Sequence, residues 1–232
     1  MPSDLLLGVD VGTGSARAGL FDRAGARLGA GVHPIQIRHP REDFAEHSSD
    51  DIWRACGVAI RTALAQAGAR PEHVRGIGFD ATCSLVVLDE RDRPVSVSPD
   101  GSAAHDTIVW LDHRAVDQAA RINATRHEVL RYVGGTISPE MQTPKLLWLK
   151  ENLPDRFARA ARFLDLPDFL STARPASTCV RCARPCASGR TSGTSSGSTR
   201  SSSGRSGCTN SPTRTSAASG RASVRWASAR AR

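Results

Sequence analysis

The chain has 232 residues, of which 39% are hydrophobic and 23% are charged, a composition typical of a globular protein. No run of about 20 apolar residues occurs, so the sequence predicts no membrane-spanning helix. The net charge of +8 is unevenly divided, because residues 1–172 hold 20 basic and 23 acidic side chains whereas residues 173–232 hold 11 Arg and no acid.

The first predicted elements are three strands and a helix, over residues 5–10, 17–21, 28–37 and 48–68. Ser48 to Asp51 offer caps for the helix, and Gly68 is expected to end it. The apolar positions of the helix recur at helical spacing, so one face needs a sheet to cover it. These positions are Ile52, Trp53, Cys56, Ile60, Ala63 and Leu64.

The later elements are strands over residues 74–79, 84–88 and 107–111, a helix from Ala115 to about Gly134, and a helix that begins at Thr143. Polar residues follow two of these strands, as Asp80-Ala81-Thr82 and Asp112-His113-Arg114. Trp53, Trp148 and Phe163 are expected in the core, and so is Cys83. Strands and helices of both kinds predict a mixed α/β layer domain.

The turn between the first two strands has the composition of a phosphate-binding turn. Gly12 and Gly14 would let backbone N–H groups approach an anion, while Thr13 and Ser15 add hydroxyl groups. Asp10 ends the preceding strand and is suited to hold Mg²⁺ through water. Glycine-rich hairpins are also common without any ligand, so this motif alone leaves both interpretations open.

Five segments together resemble the FGGY family of carbohydrate kinases, namely residues 8–22, 76–88, 109–123, 132–152 and 163–170. Three shorter runs are similar to its ribulokinase branch, and to D-ribulokinases in particular. They are GFDATCSL at 78–85, WLDHRA at 110–115, and Gly134-Gly135 followed by PEMQ at 139–142 and by residues 144–152. Because these motifs occur in the expected order across residues 5–171, the resemblance is more specific than the turn.

The resemblance implies an actin-like, ribonuclease H-like α/β fold in which two domains close on ATP, Mg²⁺ and a sugar. Residues 1–172 would form part of the first domain. The implied reaction transfers the γ-phosphate of ATP to a ketopentose, D-ribulose being favoured. The family's catalytic Asp is expected beyond the matching segments, so no catalytic residue is assigned and this chain by itself is expected to be inactive.

The resemblance also assigns site residues. Those that match the first phosphate loop are Asp10, Gly12, Thr13 and Gly14, with Ser15 beside them, and those that match the sugar-pocket stretches are Asp80, Thr82, Asp112 and Arg114. Carboxylates and a guanidinium suit the hydroxyl groups of a ketose. Structural alternatives remain, because Asp80 could cap its own loop, Asp112 and Arg114 could form an exposed ion pair, and His113 could make a local hydrogen bond.

Residues 173–232 consist mostly of Ser, Arg, Thr, Ala, Gly, Pro and Cys, and we expect them to be disordered. The abrupt change after Thr172 to residues with G- and C-rich codons indicates a shifted reading frame. Two alternatives are disfavoured. Nucleic-acid binding would lack stacking aromatic residues, and zinc binding at Cys179, Cys182, Cys186 and Cys208 would lack ligand spacing and any nearby His.

Three hypotheses about the chain therefore remain open: a truncated sugar kinase, which we favour; one half of a two-chain kinase; and an RNA-binding protein that uses the basic segment. The start Met1-Pro2-Ser3-Asp4 lacks the pattern of a signal peptide, and we expect a cytoplasmic protein with Cys56 and Cys83 as reduced thiols. Sugar and ATP are the expected partners; no membrane is expected, and nucleic acid is the disfavoured alternative.

Overall fold

The computed structural model describes residues 4–173 of the chain. The predictions of disorder and of a shifted reading frame, and the zinc alternative, fall on residues outside this range. No helix between residues 4 and 173 is long and apolar enough to cross a membrane.

The elements alternate between strands and helices along the described part of the chain. The strands are β1 Leu5–Val11, β2 Ser15–Phe21, β3 Arg27–Pro34, β4 Glu46–His47, β5 Val74–Ala81, β6 Leu85–Leu88, β7 Thr107–Ile108 and β8 Arg162–Asp165. The helices are α1 Ser49–Gln66, α2 Val116–Ala124, α3 Gln142–Asn152, α4 Pro154–Arg159 and α5 Leu166–Asp168. Short 3₁₀ helices cover Pro71–His73 and Glu128–Val133, and a π-helical turn covers Phe169–Ala173.

The first sheet has the strand order β3-β2-β1-β5 and carries α1 on one face. β1, β2 and β3 form an antiparallel meander, and β5 returns through α1 to pair parallel with β1. The buried core lies between this sheet and α1, where Leu7 and Val9 alternate with exposed residues along β1. The predicted meander, helix and fourth strand are thus confirmed.

Two glycines in β3 let α1 lie close to the sheet. A Cβ atom added to Gly31 would lie 2.1 Å from the Ala59 carbonyl oxygen, and one added to Gly29 would lie 2.2 Å from that of Ala63. No heavy atom fits at such distances, so a larger residue at either position would push the helix off the sheet. The small residues of β3 therefore set the helix–sheet spacing.

The cap of α1 agrees with the sequence prediction. The Ser48 hydroxyl accepts a hydrogen bond from the Asp51 amide at 3.3 Å. Asp50 and Asp51 lie in the first turn, where negative charges interact favourably with the helix dipole. The helix ends at Gln66, and Gly68 follows with φ = 59°, the left-handed conformation that glycine adopts without strain.

The second sheet has the order β4-β7-β6-β8 and a core of its own. β6 is central, with all four residues buried, and β4 and β7 pair over only two residues each. Trp148 from α3 and Phe44 meet edge to face in this core, with ring centroids 5.5 Å apart. The sequence analysis did not predict β4, because its two residues, Glu46 and His47, are polar yet fully buried.

Two sequence predictions are wrong. The helix predicted to run from Ala115 to about Gly134 ends at Ala124, because Arg126 adopts φ = 50° and the His127 side chain then caps a separate 3₁₀ helix. Cys83 is exposed and not part of the core. Trp53 and Trp148 are buried as expected, and Phe163 packs against the second core while only partly buried.

Candidate functional site

The candidate site lies where β1 and β5 end at one edge of the first sheet. Because the two strands are parallel and in register, Asp10 and Asp80 are directly paired neighbours. Both residues are exposed, in contrast to the neighbouring Val9 and Val11, whose side chains are buried beneath α1. The register therefore brings two of the predicted site carboxylates together.

Asp10 is balanced by a single cation in the described part of the chain. Arg17 Nη1 donates to Asp10 Oδ2 at 2.6 Å, and the side chains of Arg17 and Asp10 are 55% and 51% exposed. An ion pair this exposed is held only weakly, so the carboxylate can exchange Arg17 for another cation. No hydrogen bond of residues 4–173 occupies the Asp80 carboxylate, so the loop-capping alternative for Asp80 has no support.

The Gly12–Ser15 turn is fixed at its ends and open at its tip. The Gly12 amide donates to the Ser15 carbonyl at 3.0 Å, and the Gly14 carbonyl accepts from the Ile35 amide at 3.0 Å. Within residues 4–173, no hydrogen bond uses the amide N–H of Thr13 or Gly14. A Cβ atom added at Gly14 would meet nothing within 4 Å. The turn thus has two free donors and open space beside one of them.

Thr13 and Thr82 are joined by a chain of hydrogen bonds that runs through Trp110. The Trp110 indole Nε1 donates to Thr13 Oγ1 at 2.9 Å, and its backbone amide donates to Ser84 Oγ at 3.2 Å. Ser84 Oγ in turn lies 3.2 Å from Thr82 Oγ1. The Thr82 amide also donates to the Val11 carbonyl, so Thr82 lies beside the turn.

Lys145 lies behind Trp110, and its side chain is almost completely buried. Its Nζ donates to the carbonyls of Val109 and Trp110 at 2.8 and 2.9 Å. Burial lowers the pKa of Lys145 to about 8, although the nearby Asp112 opposes this change. The sequence analysis did not predict a role for Lys145 or Trp110, since only their three-dimensional positions relate them to the turn.

Asp112 and Arg114 form a buried cluster with Glu46. Arg114 Nη2 lies 2.8 Å from Asp112 Oδ2 and 3.0 Å from Glu46 Oε1, and all three side chains are fully buried. The Arg114 guanidinium also lies 4.2 Å from the ring centroid of Phe44. The alternative of an exposed ion pair is therefore wrong. Neither residue reaches the surface that Asp10, Asp80 and the turn form.

His113, which lies between Asp112 and Arg114 in the sequence, makes a hydrogen bond, but its partner Glu140 is 27 residues away and not local as expected. Its Nε2 lies 3.1 Å from Glu140 Oε1, and both side chains are partly exposed. A cavity of about 120 Å³ lies on this side, and its lining includes none of the predicted phosphate or sugar residues. The lining residues are His39, Glu42, Asp43, Phe44, Ala45, Leu111 and His113.

The residues at the sheet edge fit Mg²⁺ only in combination with a ligand. No cluster of three or more His, Cys, Asp or Glu side chains between residues 4 and 173 could hold a metal ion by itself. Mg²⁺ is commonly held by one or two carboxylates together with water and substrate phosphates. Asp10, one exposed carboxylate beside a turn with free N–H groups, matches that arrangement.

Comparison with known proteins gives a consistent result. The sequence profile of the FGGY family of carbohydrate kinases, N-terminal domain, matches residues 5–173. An FGGY carbohydrate kinase domain-containing protein of Homo sapiens is 52% identical over 171 residues, which are 73% of this chain and 31% of that protein. A D-ribulokinase of Saccharomyces cerevisiae is 44% identical over 167 residues, which are 71% of this chain and 23% of that protein.

Solved structures share the fold. A xylulose kinase from Brucella ovis superposes with a TM-score of 0.63 and 28% identity, over 72% of this chain and 33% of that one. The predicted class, an α/β fold of the actin-like type found in sugar kinases, is confirmed. The chain spans about a third or less of the length of these relatives.

Proposed function

Because the chain belongs to the FGGY family of carbohydrate kinases, we propose that residues 4–173 supply the phosphate-binding turn and part of the sugar-binding surface of a pentulose kinase. The reaction transfers the γ-phosphate of ATP to a hydroxyl group of a ketopentose. D-ribulose is the favoured substrate, since the similarity to a D-ribulokinase, at 44% identity, exceeds that to the xylulose kinase, at 28%.

One observation carries this proposal: the open turn at Thr13 and Gly14 lies at the same sheet edge as the Asp10–Asp80 pair. Phosphoryl transfer requires little covalent chemistry from the protein, so it depends on positioning and on charge. The free N–H groups of Thr13 and Gly14 are suited to bind phosphate oxygens, and Ser15 adds a hydroxyl group at the start of β2.

Asp10 is the residue that would hold Mg²⁺, through water. When bound, Mg²⁺ supplies positive charge that offsets the negative charge on the phosphates. Arg17, which pairs with Asp10 in this structure, would then be released toward solvent or toward the phosphates.

We propose that Asp80 and Thr82 contact the sugar directly. Asp112 and Arg114 would hold the neighbouring segments in place without contacting it. Asp80 is exposed, and Thr82 lies next to it on the same segment. Asp112 accepts hydrogen bonds from the Ala45 amide and from Arg114, and Arg114 donates to the Val97 carbonyl. These bonds hold together the segments around the second core. We therefore expect Asp112 and Arg114 to shape the sugar pocket without contacting the sugar.

The proposal is tested by adding ligands to the full 232-residue chain. Amide NMR spectra recorded with Mg-ATP should shift the signals of Thr13 and Gly14, and spectra with D-ribulose should shift those of Asp80 and Thr82. D-ribulose should bind more tightly than L-ribulose, D-xylulose or glycerol, whereas a coupled kinase assay with the same panel should show no turnover by this chain alone. If neither Mg-ATP nor any sugar shifts these signals, the site assignment is wrong.

A single methyl group at the turn should separate phosphate binding from stability. Gly14→Ala places a Cβ atom in open space without a positive φ, so the melting temperature should hardly change. The same methyl group would occupy space that a phosphate needs, and we expect the affinity for Mg-ATP to fall about tenfold or more. Calorimetric titration and thermal unfolding measure the two effects on one sample.

Gly57→Ala is the matched control for this prediction. In α1 its new Cβ atom would approach only the flexible end of Arg61, at 3.5 Å. Replacing a helical glycine by alanine stabilises a helix by about 0.5–1 kcal/mol, so the melting temperature should rise while Mg-ATP affinity stays unchanged. Equal affinities in the wild type and Gly14→Ala would show that phosphate does not bind at the turn.

A further inference from the structure

We infer that Trp110 is a positioning residue for the phosphate turn, and that its indole N–H holds Thr13 so that the free amides of the turn face the ligand. The inference rests on the proposed function, because it assumes that the turn binds phosphate. It is based on the 2.9 Å hydrogen bond from Trp110 Nε1 to Thr13 Oγ1, which joins two residues that are far apart in the sequence.

The indole is directed toward Thr13 because the Trp110 backbone is held from two sides. Its amide donates to Ser84 Oγ next to β6, and its carbonyl accepts from the buried Lys145 of α3. Both bonds come from elements of the second core, where Lys145 is only 1% exposed. Trp110 therefore links the second core to the turn of the first sheet.

His47 supports the same residue from the other side. It is 1% exposed, and the Thr13 backbone opposes the lowering of its pKa that burial causes. Neither ring nitrogen makes a hydrogen bond of ordinary geometry to any described residue. Within residues 4–173, the directed hydrogen bond to the Thr13 side chain is therefore the one from Trp110.

Together these contacts explain how the turn is fixed in position while the amide N–H groups of Thr13 and Gly14 stay available to a ligand. Thr13 is held by its hydroxyl oxygen and Gly14 by its carbonyl, which leaves both amide N–H groups without a partner between residues 4 and 173. Fixing donors before a ligand arrives reduces the entropy cost of binding. Without the indole N–H, the Thr13 side chain can rotate and the turn loses this order.

The test uses the full chain and four substitutions. Trp110→Phe keeps an aromatic ring but removes the N–H group, and Thr13→Val keeps the side-chain shape but removes the oxygen. Thr13→Ser keeps the hydroxyl oxygen and should therefore keep the Mg-ATP affinity that Thr13→Val loses. Trp148→Phe repeats the aromatic substitution in the second core, away from the turn, and controls for lost packing.

The expected result is a loss of Mg-ATP affinity of about tenfold in Trp110→Phe and in Thr13→Val, since one directional hydrogen bond is lost in each. The double variant should bind no more weakly than either single variant, because both remove the same bond. Thr13→Ser and Trp148→Phe should bind within about twofold of the wild type, whatever their melting temperatures. Wild-type affinity in Trp110→Phe, or losses that multiply in the double variant, would overturn the inference.

Amide relaxation at Gly14 distinguishes this inference from the proposed function. If the wild type does not bind Mg-ATP, the proposed function fails. The order parameter of the Gly14 amide still tests whether Trp110 positions the turn. A lower order parameter in Trp110→Phe but not in Trp148→Phe would support it, and identical values would reject it.

Discussion

Replacing Arg114 by Met is expected to lower the free energy of unfolding by about 3–5 kcal/mol, because it removes one partner of a fully buried charge cluster. Arg114 is the cation that contacts both Asp112 and Glu46, at 2.8 and 3.0 Å. Without it, two carboxylates would lie in a dry environment without their main counter-charge. The melting temperature should fall by roughly 10 °C, which thermal unfolding of the full chain would measure.

The neighbouring groups cannot replace Arg114. Glu46 Oε2 has no hydrogen bond from any described residue, and Arg38 Nη1 lies 3.6 Å from it. Lys145 lies near Asp112, but its Nζ already donates to two backbone carbonyls. Arg114→Lys should also destabilise the chain, because an ammonium group cannot reproduce the several directed bonds of the guanidinium.

An exposed ion pair supplies the matched control. Arg121 Nη2 lies 2.6 Å from Glu151 Oε2 on the surface between α2 and α3. Arg121→Met removes the same kind of contact in solvent, so the melting temperature should hardly change. Adding Asp112→Asn to Arg114→Met should recover part of the lost stability. If Arg114→Met melts like Arg121→Met, the buried cluster does not stabilise the fold.

The first sheet could be predicted from the sequence because its strands and helix are long and regularly patterned. β1 alternates buried and exposed residues over seven positions, and α1 repeats its apolar positions over eighteen. The parallel pairing of β1 with β5 follows from the intervening helix, and it brings Asp10 and Asp80 together. Local patterns therefore predict the strands that carry these two residues, whereas the pairing that brings them together is a long-range contact.

The second sheet could not be predicted in the same way, because long-range polar contacts determine it. Glu46 and His47 form a two-residue strand that the sequence marks as surface, and both are buried. Glu46 pairs with Arg114, 68 residues further along the chain, and Ser49, next to this strand, bonds to Asp106, 57 residues away. For the same reason the partners of Asp112 and Arg114 were not evident from their sequence spacing.

Asp106 and His47 are expected to change the free energy of unfolding with pH in opposite directions, so that the two effects nearly cancel. Burial raises the pKa of Asp106 to about 6, although its carboxylate accepts hydrogen bonds from the amide and hydroxyl of Ser49. Burial also lowers the pKa of His47 to about 4, while Thr13 and Asp51 oppose this change and His105 and His39 add to it. The wild type should therefore show little change in stability between pH 4 and 6.

Removing either group should reveal the other, with opposite signs. For Asp106 the folded pKa lies above the unfolded one, so its contribution to stability is present at low pH and is lost as pH rises toward 6. For His47 the folded pKa lies below the unfolded one, so its contribution is present at neutral pH and is lost as pH falls toward 4. Each of these pKa changes corresponds to about 3 kcal/mol in the free energy of unfolding.

Urea unfolding from pH 4.5 to 7.5 would separate the two contributions. Asp106→Asn should become more stable as pH rises, by about 2 kcal/mol, because the His47 dependence then outweighs the smaller opposite one of Asp165. His47→Gln should become less stable over the same range by a similar amount, because the Asp106 dependence and the smaller one of Asp165 remain. Slopes of the same sign in both variants would contradict these assignments. Opposite slopes would show that these two buried groups keep the free energy of unfolding nearly constant across this range, since on unfolding Asp106 releases a proton where His47 takes one up.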